Sequence, residues 1–391
     1  MMMHTKKMLL TVLMILTNIT FVLAQEGVVF DEKTGSITSN DLWIPKNTEE
    51  LKGLGQTGPF IRLQDGGILT VNETKSLISR NEGKTWEEYQ IFSKPEAFHI
   101  SGERVLLQTK TGVVILAFMN MKEATKLQWQ KEVSDFPDAI LPTYAARSLD
   151  GGKTWQDIKK LHNTWTGAVR TIIETRNGNI VFTSMMMFHN PCHHTVLTYT
   201  SFNDGQDWTR SNIIDLGGKG DHSGVTESTI TQLKDGRIWQ LMRTNWGTFW
   251  EAFSSDEGLT WKDIRTTTID ASSAPGLLKR MESGRLVLLW NRRFPFGKNT
   301  YPLRGGDGQF SEIAASNHRE ELSIAFSDNE GKTWSTPKVI AKSYKLQNVD
   351  RVKSWIAYPF AFEAKPGELW ITTMQGGLKM KLLEKDFIDA K

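Results

Sequence analysis

The chain has 391 residues, and 47 Lys+Arg against 44 Asp+Glu leave a formal charge of +3, which gives no bulk electrostatic case for nucleic-acid binding. With 39% hydrophobic and 23% charged residues it has the composition of a soluble folded protein, and its single cysteine excludes both an intramolecular disulfide and a cysteine cluster for zinc. The 14 Trp and 32 Gly, against only 12 Pro, point to repeated tight turns.

Residues 1–24 read as a secretory signal peptide. His4, Lys6 and Lys7 give a basic start, Met8 to Leu23 is apolar with interruptions such as Asn18, and Val22-Leu23-Ala24 suits signal peptidase. The apolar stretch is shorter than the roughly 20 residues of a membrane span, and no second stretch is long enough. The mature chain is expected to begin near Gln25, to carry no membrane span and to be secreted or periplasmic.

Beyond this leader the chain is a series of repeats. Six small turns each join one apolar run to another, which is a hairpin pattern. They are Asp65-Gly66 before Ile68–Val71, Thr111-Gly112 before Val113–Phe118, and Asn177-Gly178 before Ile180–Thr183. Asp235-Gly236 then precedes Ile238–Met242, Ser283-Gly284 precedes Leu286–Trp290, and Pro366-Gly367 precedes Leu369–Thr373. Between these turns stand five segments of the form Ser-x-Asp/Asn-x-Gly-x-Thr-Trp. They run from Ser79 to Trp86, Ser148 to Trp155, Ser201 to Trp208, Ser254 to Trp261 and Ser327 to Trp334, with Asp207 replacing Thr in the third. The Asp or Asn folds back on the backbone, Gly takes a positive φ, and Trp pins the turn to the sheet. A hairpin plus two box-joined strands is a four-stranded antiparallel unit. Six units predict an all-β, six-bladed β-propeller forming one domain over 25–391. The sixth unit ends before a box, so its missing strand is expected from the N-terminal stretch near Gly27–Ile44.

A propeller binds its ligand over the central channel, and the hairpin turns give a register for that face. Counting about eight residues back from each turn reaches Gln56, Glu103, Val169–Arg170, Glu227, Pro275 and Tyr358. Counting forward reaches Glu73, Met119–Asn120, Met185, Arg243, Asn291–Arg292 and Met374–Gln375. The third strands begin at Ile140, His193, Trp246 and Arg319. Polar residues converging over a channel define a candidate site.

The five boxes are Asp-boxes, and the chain resembles the sialidase superfamily over nearly all of its mature length. The segment from Glu227 to Arg243 looks like the sialidase stretch that opens on a Glu and closes on a substrate-binding Arg. Ala357-Tyr358-Pro359 is placed like the nucleophilic Tyr, and Arg319 like another Arg of the carboxylate-binding triad. The resemblance implies an exo-glycoside hydrolase acting on a terminal acidic sugar of a glycan. The residue types suit that chemistry. Arginine forks bind a carboxylate, and a neutral Tyr, unlike a carboxylate, is not repelled by it. A Tyr hydroxyl near pKa 10 needs a base, a role that falls to Glu227.

Two parts of the pattern are missing. Where the family carries an Arg-Ile-Pro-like run, this chain has Gln56-Thr57-Gly58, and Arg62 in Phe60-Ile61-Arg62-Leu63 is the nearest substitute. The loop that would hold the acid/base Asp is too short, and Glu73 is the nearest carboxylate. His222, in Gly220-Asp221-His222-Ser223-Gly224, and His193 are candidate replacements, since His is a competent acid near neutral pH. Arg292 is a candidate for the missing anion contact, and Trp246, with Trp250, for stacking on a sugar. His189, His193 and His194 are not expected to bind metal, because no acidic ligand or helical spacing supports them. No cofactor is expected, and the chain is expected to act as a monomer. Two other readings stay open: a related propeller acting on a uronate, a Kdo-like acid or rhamnose through His, and a non-catalytic binding propeller.

Overall fold

In the computed structural model, residues 32–343 and 355–388 are described. The expected leader and cleavage site lie outside these residues. The chain forms six blades of four antiparallel strands around a central channel. Blade 1 runs Ile61–Arg62, Ile68–Val71, Lys75–Ser79 and Glu87–Gln90 from the channel outward. Blade 2 is Ile100–Gln108, Val114–Asn120, Thr143–Ser148 and Gln156–His162. Blade 3 is Ile172–Glu174, Ile180–Phe188, His193–Ser201 and Thr209–Arg210. Blade 4 is Thr226–Gln232, Ile238–Arg243, Thr248–Ser254 and Lys262–Asp270. Blade 5 is Leu277–Arg280, Leu286–Trp290, Glu321–Ser327 and Lys338–Ser343. Blade 6 supplies Pro359–Lys365, Glu368–Thr373 and Lys379–Leu383. From blade 1 to blade 6 each inner strand packs on that of the next blade.

Ring closure differs from the sequence expectation. The fourth strand of blade 6 is Thr48–Glu50, which pairs with Met380, Lys381 and Leu382. The described part of the Gly27–Ile44 stretch instead extends blade 5, with Leu42 opposite Ser343 and Trp43 opposite Lys342. The reason lies in burial. Leu42 and Ile44 share a core with Leu322 and Ile340 of blade 5 and with Ile371 and Met380 of blade 6. The apolar segment therefore straps the seam between the two blades, and the polar triplet after it completes the ring. Arg62 adds a hydrogen bond of 2.7 Å to the Ala364 carbonyl across the closure.

The Asp-boxes hold the blades to one another. In the box of blade 2, Ser148 Oγ accepts from Gly152 N at 2.8 Å and Asp150 Oδ1 accepts from Thr154 N at 2.9 Å. The box glycines at 152, 205, 258 and 331 press on Leu69, Ile115, Val181 and Trp239, each in the second strand of the preceding blade. Gly83 of blade 1 packs on Leu54 and Trp370, so the first box docks on blade 6. Trp261 Nε1 donates to Thr198 Oγ1 of blade 3 at 2.8 Å. These contacts make the Trp residues packing elements between blades.

Two long insertions rise from the ring, residues 121–142 in blade 2 and residues 291–320 in blade 5. They meet where Gln309 accepts from Trp129 Nε1 at 2.8 Å and donates to Ser134 Oγ at 2.7 Å.

Candidate active site

The inner strands deliver the polar residues to one end of the channel through distorted starts. The pairing register slips between Thr226 and Thr229, and again between Ile100 and Arg104. Glu227 and Glu103 lie in these bulges, which re-aim a side chain that regular alternation would point elsewhere. Glu227 has φ 41° and Tyr358 φ 60°. This left-handed backbone is strained for a bulky side chain and persists where packing over-determines it.

The Tyr358 hydroxyl donates to Glu227 Oε1 at 2.8 Å. Arg243 Nη1 pairs with the other Glu227 oxygen, and its Nη2 donates to Ser273 Oγ at 2.9 Å. Arg319 donates to the Ser273 carbonyl at 2.7 Å and to Gln375 Oε1 at 3.1 Å. The Arg319 guanidinium lies 5.5 Å from the Tyr358 ring centre and 4.5 Å from that of Trp355. On the same phenol ring Arg170 sits at 5.3 Å, and it donates to the Pro359 carbonyl at 3.2 Å. Arg170, Arg243, Arg319 and Glu227 are all buried.

This environment separates the acid–base properties of the groups. Burial and then the Glu227 charge push the Tyr358 phenol up to about 12, against the pull of Arg319 and Arg243. Burial would raise Glu227, but Arg243, by charge and hydrogen bond, and then Arg319 outweigh it and hold the carboxyl down at about 2. The pair at rest is therefore a neutral phenol donating to a carboxylate. Glu103 behaves oppositely. Burial, and then repulsion from Glu227, lift it to about 8 despite Arg170, Arg243 and Arg319. Its Oε2 is buried and has no hydrogen-bond partner among the described residues. Gly102, beside it, abuts Met374, whose amide donates to the Tyr358 carbonyl at 3.2 Å. Glu103 and Arg170 are thus members of the cluster. The register from the turns reaches both, but the family resemblance assigns neither a role.

The structure gathers four of the ten residues singled out from sequence: Glu227, Arg243, Arg319 and Tyr358. The others stand apart. Arg62 is at the turn end of its blade, where Glu82 holds it at 2.9 and 3.1 Å. It lies away from the cluster, to which Arg170 brings a third guanidinium. Arg292 is taken by Asp270 at 3.0 and 3.1 Å. His193 spends both ring nitrogens on Asp215, at 2.9 Å, and on the Pro191 carbonyl, at 2.8 Å. Glu73 is exposed on the rim, with His99 Nε2 4.0 Å from its carboxylate. Trp246 packs on Trp250 with ring centres 5.1 Å apart and joins the core of blades 3 and 4. His222 stacks on Phe310 at 4.3 Å and reaches the cluster through its backbone, its carbonyl accepting from Asn245 at 2.7 Å. Asn245 in turn accepts from Ser273 Oγ at 2.7 Å.

Known proteins of the same fold include a protein of unknown function from Dyadobacter fermentans, 17% identical, with a TM-score of 0.52 over 91% of this chain and 96% of that one. The NanB sialidase of Streptococcus pneumoniae is 12% identical, with a TM-score of 0.53 over 86% of this chain and 70% of that one. An α-L-arabinofuranosidase of Fusarium graminearum is also 12% identical, with a TM-score of 0.52 over 84% and 92%. No curated protein sequence matches the chain. Residues 71–371 match the BNR repeat-like domain, so the chain belongs to that family and carries it as a sialidase-like six-bladed propeller.

Proposed function

We propose that the protein is an exo-acting glycoside hydrolase that removes a terminal acidic sugar, a sialic acid or a related 2-keto acid, from a glycan. The observation that carries this reading is the 2.8 Å hydrogen bond from Tyr358 to Glu227, enclosed by three buried arginines. Such a sugar bears a carboxylate on its anomeric carbon. Guanidinium groups bind that carboxylate, and a phenol escapes the repulsion that a carboxylate nucleophile would meet.

In this reading the substrate carboxylate binds Arg243 and Arg319, with Arg170 behind the Tyr358 ring. Sharing Arg243 with the substrate weakens its hold on Glu227, which becomes the stronger base when Tyr358 must lose its proton. Tyr358 Oη attacks the anomeric carbon as its proton passes to Glu227, and the glycosidic bond breaks. Glu103, protonated at neutral pH, gives its proton to the leaving oxygen. Water then cleaves the glycosyl–tyrosine bond, with Glu103 taking its proton back and Glu227 returning one to Tyr358. The protein acts as an exported monomer, and sequencing the form released from a Gram-negative host should read from near Gln25. Recovery of the full-length chain in the membrane fraction would refute export.

The test is a panel of fluorogenic glycosides of sialic acid, Kdo, uronates, rhamnose and arabinofuranose. Turnover of a 2-keto acid glycoside, with a fluorinated analogue adding mass to the peptide that contains Tyr358, is the expected result. Turnover confined to neutral glycosides would overturn the reading.

A further inference from the structure

We propose that Asp135, His189 and Cys192 form a zinc site that pins the blade 2 insertion to the hairpin between the second and third strands of blade 3. One carboxylate oxygen, one imidazole nitrogen and one thiol sulfur from these residues all lie within 4.8 Å of one another. Oxygen, nitrogen and sulfur donors of this kind are those zinc accepts, at about 2.0–2.3 Å, so neighbouring ligands of a tetrahedral site stand roughly 3.2–3.8 Å apart. His189 Nδ1 now sits 2.7 Å from Asp135 Oδ1, and opening that contact by about half an ångström reaches the tetrahedral spacing.

The donors are held in place by their own elements. The Asp135 backbone pairs with Gln130 in both directions, at 2.9 and 3.3 Å, and its Oδ1 accepts from the Phe136 amide at 2.7 Å. The Cys192 carbonyl accepts from Gly220 N at 2.9 Å. Its side chain is buried against Phe136, Ala139 and Met187, an apolar wall that keeps the sulfur side dry. The His189 side chain is 40% exposed, which leaves a route in for the ion and a place for water as fourth ligand.

Neither neighbouring histidine is part of the donor cluster. His193 uses both ring nitrogens, and His194 Nε2 is bonded to the Asp221 carbonyl. The proposed donor set differs from a cluster of the three histidines: the acidic ligand comes from the preceding blade, and one histidine of the three serves. The site is independent of the proposed glycosidase chemistry. Its consequence is mechanical, because Ser134, adjacent to Asp135, bonds Gln309 of the blade 5 insertion.

Titrating the purified, reduced full-length protein with Co2+ tests this. The expected result is saturation at one equivalent with a thiolate-to-cobalt charge-transfer band, lost in Cys192→Ser, weakened at least tenfold in affinity in Asp135→Asn and His189→Gln, and kept in His193→Gln. Zinc should displace the cobalt and raise the melting temperature of the wild type but not of His189→Gln, whose exposed side chain leaves folding intact. Absence of a stoichiometric band, or a band that survives Cys192→Ser, would overturn the proposal and leave His189 and Asp135 as an ion pair beside an inert thiol.

Discussion

The decisive perturbation of the proposed chemistry is Glu103→Gln, which keeps the shape of the side chain and removes its proton. An ordinary glutamate is almost wholly ionised at pH 7, whereas a carboxyl at about 8 is roughly 90% protonated there. The donor is therefore loaded in the wild type and absent in the variant. General acid catalysis is worth about 10²–10⁴ in rate, and the loss should depend on the leaving group. A sugar or alkyl leaving group needs the proton and should lose that full factor. A nitrophenyl group departs as a stable phenolate and should lose little in kcat/KM, which does not include the later hydrolysis of the glycosyl–tyrosine bond, where Glu103 is the base. In kcat/KM against pH, the wild type should fall as pH rises through about 8, where Glu103 ionises, and the variant should lack that limb. Stability should follow the same group. Its pKa is raised on folding, so its contribution is full below about 4.5 and fades as pH rises through about 8. Glu103→Gln should thus gain stability relative to wild type as pH rises from about 4.5 to about 8 and hold that gain above it. Equal losses of kcat/KM on both leaving groups, or an unchanged alkaline limb, would refute Glu103 as the acid.

Tyr358→Phe should lower turnover by orders of magnitude while removing one charge-assisted hydrogen bond, about 1.5–3 kcal/mol of stability at most; Glu227→Gln should fall similarly, and the double variant scarcely further, as expected for groups acting as one unit. Near-normal turnover of Tyr358→Phe would exclude the mechanism. Gly258→Ala probes the box-to-blade contact: Gly258 has φ 82° and a Cβ there would lie 2.8 Å from Val181 Cγ1, so strain and overpacking should together cost about 2–4 kcal/mol. Gly236→Ala, at φ 96° with nothing within 4 Å among the described residues, should cost only the conformational part, and equal melting temperatures for the two would show that the contact contributes nothing.

The propeller was legible because its punctuation is local. A turn glycine and a Ser-x-Asp-x-Gly-x-Thr-Trp box each dictate their own backbone, and both recur at the spacing of a blade. Closure was not legible for the opposite reason. Leu42-Trp43-Ile44 reads as a core strand and is one, but on blade 5; the strand that closes blade 6 is Thr48-Glu49-Glu50, whose polar side chains carry no pattern signal. Its place is set by the open edge at Met380–Leu382. The site was half legible. Counting from the turns reached Glu103 and Arg170 alongside Glu227 and Tyr358, because blades share a length. Which of those side chains enter the channel depends on bulges, and a bulge at Glu103 leaves no mark in the residue types. Arg62 shows the converse: only three residues before the turn at Asp65, it stands at the turn end of its strand, where Glu82 binds it.

The charges of the cluster decide what it should bind. Among the described residues, with Glu103 protonated, Arg170, Arg243 and Arg319 face a single carboxylate, Glu227, which leaves about two positive charges in a buried place. Burial accordingly pulls the Arg319 guanidinium below its usual range, the mark of a buried cation whose partners do not fully repay its desolvation. An anion that fits would repay it, and a neutral sugar of the same size would not. A free 2-keto acid sugar at 100 times its Kd should therefore stabilise the protein by about 2.7 kcal/mol, read as a rise in melting temperature, and its neutral reduced or esterified analogue should leave the melt unchanged. Arg319→Lys should weaken the effect, because an ammonium keeps the charge but not the planar fork. The effect should also fade as pH rises through about 8, since an ionised Glu103 then supplies from within the protein the negative charge that the ligand brings. Equal stabilisation by acid and ester would mean that the arginines serve the fold and not a carboxylate.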